Sequence, residues 1–195
     1  MSEPPTLIIV RGNSGSGKTT TAREVRRRYG RGCALIEQDH LRRVLLREHG
    51  GLGDDAVAPA FLTGTARAAL EAGYHVILEG ILHTREYATH LRHLIESHPG
   101  PVSCHYLDVS FEETLRRHRN RAEPIPVTAE TMHDWYTERD LLGIPGEVVI
   151  PESAGLDEAV TTVLHGSGLA ARAALTPCPT RCRRCQEKAG EPGNP

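Results

Sequence analysis

Residues 12–19 read Gly12-Asn13-Ser14-Gly15-Ser16-Gly17-Lys18-Thr19 and fill every fixed position of the pattern G-x-x-x-x-G-K-[ST]. The apolar run Leu7-Ile8-Ile9-Val10 precedes this stretch, and a segment of helical character follows it. No other part of the chain restricts the fold so tightly, because the pattern works only as a turn between a strand and a helix. Its glycines let the backbone curl until successive N–H groups face inward as an anion nest. The helix behind the loop then presents its positive end to the same anion. Lys18 adds a point charge for β- and γ-phosphates, and Thr19 offers a hydroxyl to Mg²⁺. The donor-binding set is therefore Gly12 through Thr19 with Thr20 beside it. ATP and Mg²⁺ are the implied cofactors.

Length and charge narrow the setting of this loop. A chain of 195 residues holds one domain of ordinary size with some length to spare. Its formal net charge of −2 gives no bulk attraction to nucleic acid or to a membrane surface. Scarce aromatics, with two Phe and one Trp, argue against a base-stacking platform for single strands. The N-terminus Met1-Ser2-Glu3-Pro4-Pro5 has no basic stretch ahead of an apolar one, and the first apolar run is too short for a signal peptide or a membrane span. A cytoplasmic protein with no membrane contact is the expectation.

Apolar runs alternate with helical patterns along most of the chain. Strands are expected at 7–10, 33–36, 75–78, 102–109 and 148–150. Helices are expected at 19–29, 39–48, 56–72, 84–97, from 110 onward, 128–139 and 156–164. Ser110 with Glu113 three places on reads as a capping box. This alternation implies an α/β fold of three layers with parallel strands joined by right-handed crossovers. Ligands in such folds bind beyond the carboxyl ends of the strands. Residues 11–19, 37–42, 79–85 and 109–121 are thus the places to look for chemistry.

Asp39 follows the second strand, at the mouth of the loop. A carboxylate there can take the proton of an attacking hydroxyl or help to hold Mg²⁺; it can also merely cap a helix. Arg42 lies one helical turn on, placed to meet an acceptor anion. Glu79 ends the third strand, where an acidic residue reaches the metal directly or through water, and where a structural role is the alternative. His83 and Arg85 would line the acceptor side, or stand in solvent. Arg117 and Arg121, four apart, read as a lid face that stabilises the transferring phosphoryl group; a solvated basic face is the bland alternative. Glu123-Pro124-Ile125-Pro126 makes a stiff break that suits a hinged lid over about 110–140.

On these residues the chain resembles the P-loop small-molecule and polynucleotide kinases. This is the nucleoside-monophosphate-kinase-like branch that includes chloramphenicol phosphotransferase, shikimate kinase and gluconate kinase. The resemblance spans residues 6–165, and the stretches Val76–Gly80 and Arg116–His118 also resemble predicted bacterial kinases of the group. It implies a P-loop NTPase fold whose five parallel strands run in the order 2-3-1-4-5. It implies Asp39 as general base, Arg42 on the acceptor, and Arg117 and Arg121 in the lid. Unlike polynucleotide kinases, the chain has no markedly basic channel, so a compact hydroxyl-bearing acceptor is favoured. A 5′-hydroxyl nucleic-acid end and a non-catalytic nucleotide-binding module are the alternatives.

After about Gly166 the pattern fades, and beyond Leu175 no Ile, Leu, Val or Phe occurs. Residues 1–165 are expected to form the kinase domain, and 166–195 a Pro- and Cys-rich basic tail without a core of its own. Cys178, Cys182 and Cys185 could hold Zn²⁺, but a closed site needs a fourth ligand. Free thiols are the other reading. Cys33 and Cys104 sit in strand-like runs and read as buried thiols.

Overall fold

A computed structural model describes residues 3–48, 57–120 and 127–174. Five parallel strands form one sheet in the order β2-β3-β1-β4-β5. They are β1 (Leu7–Gly12), β2 (Cys33–Glu37), β3 (His75–Gly80), β4 (Val102–Asp108) and β5 (Val148–Pro151). The helices are α1 (Lys18–Tyr29), α2 (Val57–Glu71), α3 (Thr84–Ser97), α4 (Phe111–Arg119), α5 (Ala129–Trp135) and α6 (Leu156–Gly166). The class and strand order are those expected from the sequence.

Period-two patterning of the strands produces the layers. Leu7 and Ile9 face one side, with Val76 and Leu78, and pack on Leu62, Ala66, Tyr87, Leu91 and Leu94 of α2 and α3. Ile8 and Val10 face the other side and pack on Ala22, Val25, Val160 and Val163 of α1 and α6. Each such side chain contributes about 1.5–3 kcal/mol on burial, so these two cores carry the fold. The central position of β1 brings the glycine loop to the middle of the sheet's carboxyl edge. The chain stays packed beyond the boundary expected at 165. Leu169 is in the second core, and the Tyr29 hydroxyl donates to the Ala173 carbonyl at 3.2 Å.

Three local readings change. Residues 39–48 do not form a full α-helix but one wide turn of π-type bonding at His40–Leu45. The helix expected at 128–139 ends at Trp135, because Tyr136 and Thr137 are drawn onto other elements. The capping box at Ser110 is half formed. Its hydroxyl accepts from the Glu113 N–H at 3.4 Å, but Glu152, not Glu113, accepts from the Ser110 N–H at 2.9 Å. Glu113 is turned instead to Arg116 and Arg117.

Candidate active site

Gly15 and Gly17 adopt φ of +82° and +98°, which only glycine enters without strain. A Cβ on Gly15 would also lie 2.7 Å from the Thr114 carbonyl, so the loop is seated directly on α4. Ser14 is half-buried and Ser16 fully buried, and the Ser16 Oγ has no hydrogen-bond partner. The Lys18 ammonium reaches back to the Asn13 carbonyl at 3.5 Å. The Thr19 hydroxyl donates to both carboxylate oxygens of Glu79 at 3.2 Å. Glu79 is only 3% exposed, and this burial pushes its carboxyl above the usual range. The Lys18 charge opposes that shift, while the charges of Glu37 and Asp39 add to it.

A buried carboxylate on a threonine hydroxyl, beside an anion nest, is the donor set that a phosphate-bound Mg²⁺ requires. Among the described residues no three His, Cys, Asp or Glu side chains cluster to hold a metal by themselves. Cys178, Cys182 and Cys185 lie outside the described residues.

Beside the loop lies a cavity of about 280 Å³, lined by Gly17, Thr20, Leu107, Arg117, Pro151 and Ala159 among others. Arg117 closes one wall of this cavity. Its guanidinium donates to the Ser16 carbonyl and the Glu152 carbonyl at 2.9 Å each, and to Glu113 at 2.7 Å. The structure thus ties Arg117 between the glycine loop and the β5–α6 turn. Arg121 lies outside the described residues.

On the opposite side, Asp39 is 74% exposed and pairs with Arg43 at 3.5 Å, not with Arg42. Arg42 sits partly buried where its charge reaches Tyr87, and its Nε is enclosed without a partner. His83 is 8% exposed, with Nδ1 3.8 Å from the Asp140 carboxylate. Burial, reinforced by Arg85, lowers its pKa. Arg85 extends to its neighbour Glu86 and is 64% exposed, so it stands in solvent rather than on a partner across the cleft.

Beneath this wall lies a buried polar network that sequence reading missed. Arg11, fully enclosed in β1, donates twice to the Leu82 carbonyl, at 3.2 and 2.9 Å. It also pairs with Asp140 at 3.0 Å and Glu147 at 3.5 Å. Asp140 accepts from the Thr84 N–H at 3.0 Å and from the Thr84 hydroxyl. Leu82 is held at φ +47°, a strained position for a branched residue, and its N–H donates to Gln38 at 3.2 Å. A Cβ at position 80 would collide with that glutamine at 2.4 Å, which explains Gly80. Asn13 makes a reciprocal pair with Thr137, donating to its carbonyl at 2.9 Å and accepting from its N–H at 3.1 Å. The one local signal was an arginine at the end of an apolar strand, Leu7-Ile8-Ile9-Val10-Arg11.

Sheet order, glycine loop and the carboxylate on Thr19 together define a P-loop kinase fold. A family model described as an AAA domain matches residues 7–141, and the chain belongs to that family. Among solved structures it is similar to a sugar kinase from Janibacter sp. HTCC2649, at 22% identity and a TM-score of 0.66, covering 89% of this chain and 100% of that one. It is also similar to a gluconokinase from Sinorhizobium meliloti 1021, at 23% identity and a TM-score of 0.62, covering 87% and 94%. A third is the APS kinase CysC of Mycobacterium tuberculosis in complex with AMPPNP and APS, at 18% identity and a TM-score of 0.67, covering 88% and 100%. No curated protein matches the sequence. Among the described residues no helix is long and apolar enough to cross a membrane.

Proposed function

We propose that the protein is an ATP-dependent kinase that transfers the γ-phosphoryl group to a hydroxyl of a small molecule. The observation that carries this reading is the phosphate nest with Lys18 and the Thr19–Glu79 pair, set beside the cavity that Arg117 closes. The loop amides and Lys18 hold the phosphates. The cavity of about 280 Å³ takes the base. Thr19, with help from Asp39 or Glu79, would hold Mg²⁺, which when bound neutralises charge on the β- and γ-oxygens.

Transfer of this kind needs positioning and charge stabilisation more than covalent chemistry. The acceptor oxygen bonds to the γ-phosphorus, the bond to the β–γ bridging oxygen breaks, and ADP leaves. The acceptor proton passes to the Asp39 carboxylate, whose exposure at the cleft mouth leaves it open to an incoming hydroxyl. Arg42 and His83 contact the acceptor. Arg121 completes the charge over the transferring group. The fold relatives that are named as sugar kinase and gluconokinase support a compact acceptor.

The test is ADP release across a library of hydroxyl-bearing metabolites, with mass spectrometry of the product. A product heavier by one phosphoryl group is expected. Phosphorylation of a 5′-hydroxyl oligonucleotide, with steep salt dependence, would replace the small molecule by a nucleic-acid end. Nucleotide binding with no ADP release on any acceptor would make the chain a regulatory module instead.

A further inference from the structure

The acceptor side carries an unusual internal contact. The Arg43 guanidinium lies over the Trp135 ring, 5.9 Å from its centroid, and its Nε is 3.5 Å from the Asp39 carboxylate. Trp135 ends α5 on the lid side, while Asp39 and Arg43 belong to the turn after β2. The side chain of Arg43 therefore bridges the two walls of the cleft. A ring face and a carboxylate that share one guanidinium are the two halves of an organic-cation site.

The internal cation is a weak occupant. Arg43 is 44% exposed and Asp39 is 74% exposed, so both solvent and salt screen their pairing. A ligand that brings its own cation can take the place of Arg43 with no net change in the charges facing Asp39. Arg42, the neighbouring cation, does not compete for the spot; it is drawn inward to where its charge reaches Tyr87. Asp39 stands two residues past Glu37, which is in register with Glu79 at the end of β3, so the cation site lies at the same carboxyl edge of the sheet as the glycine loop.

We propose that Trp135 and Asp39 form a subsite for an ammonium or guanidinium group, so that the acceptor is a hydroxyl-bearing organic cation and Arg43 fills its place in the free protein. The inference rests on the kinase reading and gives it a substrate class. An acceptor bound this way keeps its charged end between the indole and one carboxylate oxygen of Asp39, and presents a neighbouring hydroxyl to the other oxygen and to the γ-phosphate. Displacing Arg43 also removes the contact that ties Trp135 to the turn after β2.

Trp135 is the only tryptophan in the chain, so indole fluorescence reports this ring alone. Methylguanidinium chloride is titrated into the full chain with AMPPNP and magnesium present, at constant ionic strength, with urea as the neutral control. A saturable change is expected, about threefold tighter in Arg43→Ala than in wild type, and lost in Arg43→Ala/Asp39→Asn. A linear response, or an equal response to urea, overturns the cation site. The acceptor screen supplies a second readout, with D-glucosamine-type amino polyols compared to neutral polyols of the same size. Preference for neutral or anionic acceptors overturns the substrate class while leaving the kinase intact. Calorimetry with AMPPNP separates the two readings, since failure there refutes the kinase itself whatever the fluorescence shows.

Discussion

The glycine loop is one contiguous stretch of chain, and it works mainly through backbone. The wall across from it is assembled from side chains as far apart in sequence as Arg11 and Asp140, which are 129 residues distant. Gly15 and Gly17 set the loop by their own dihedral freedom, and any chain with this spacing would make a similar nest. The opposite wall depends on a buried guanidinium, two carboxylates and a strained Leu82, each held in place by the others. Backbone sites tolerate change around them because the donors are part of the turn itself. Side-chain networks fail as units, since each member removed leaves another group buried and unpaired.

Substitutions on the two walls should therefore fail in different ways. The largest effect is expected from Lys18→Ala on the donor wall. Phosphoryl transfer should fall by about a thousandfold or more while the thermal midpoint stays near wild type. Unaltered turnover in that variant would end the kinase reading. Arg11→Met should do the opposite and lower stability by about 3–5 kcal/mol, because Asp140 and Glu147 lose their buried cation. Urea unfolding measures this, and a midpoint within error of wild type would show that the network carries no weight.

Asp39→Asn should cut kcat by about a hundredfold and leave the KM for ATP nearly unchanged, as expected of the proposed general base. A rise in that KM with kcat intact would move Asp39 from base to metal support. The smallest effect is expected from Glu113→Gln. Glu113 holds Arg117 against the Ser16 and Glu152 carbonyls, and it sits well below the usual carboxylate range, at about 2, through its bonds to Arg116 and Arg117. The amide should raise the KM for ATP about threefold with little change in kcat. If kcat fell instead, Arg117 would act on the phosphoryl group rather than on the base pocket.

How far each wall could be read in the sequence follows from the same contrast. The glycine loop, the strand before it and the acid at the end of β3 were all legible, because each depends on residues within a short window. Glu113 was misread because its partner was decided elsewhere. Glu152, 42 residues on, takes the Ser110 N–H and frees Glu113 for two arginines. The helix of 128–139 was overextended because the Tyr136 hydroxyl bonds Val109 and the Thr137 N–H bonds Asn13, which no local propensity foretells. Asn13 itself looked like an unconstrained position of the loop pattern, yet its carboxamide fastens Thr137, just past α5, to the loop.

By itself the sequence determined the layered fold, the phosphate nest and the residues at the strand ends. Hydrophobic period and glycine spacing act over a few residues, and the chain writes them in order. Only the tertiary structure decided which charges meet. It gave Arg11 its carboxylates, turned Asp39 to Arg43 rather than Arg42, set Arg117 against the cavity beside the loop and laid Arg43 on Trp135. A charge chooses its partner by distance in space and by the water it loses, and neither exists until the sheet has brought the segments together.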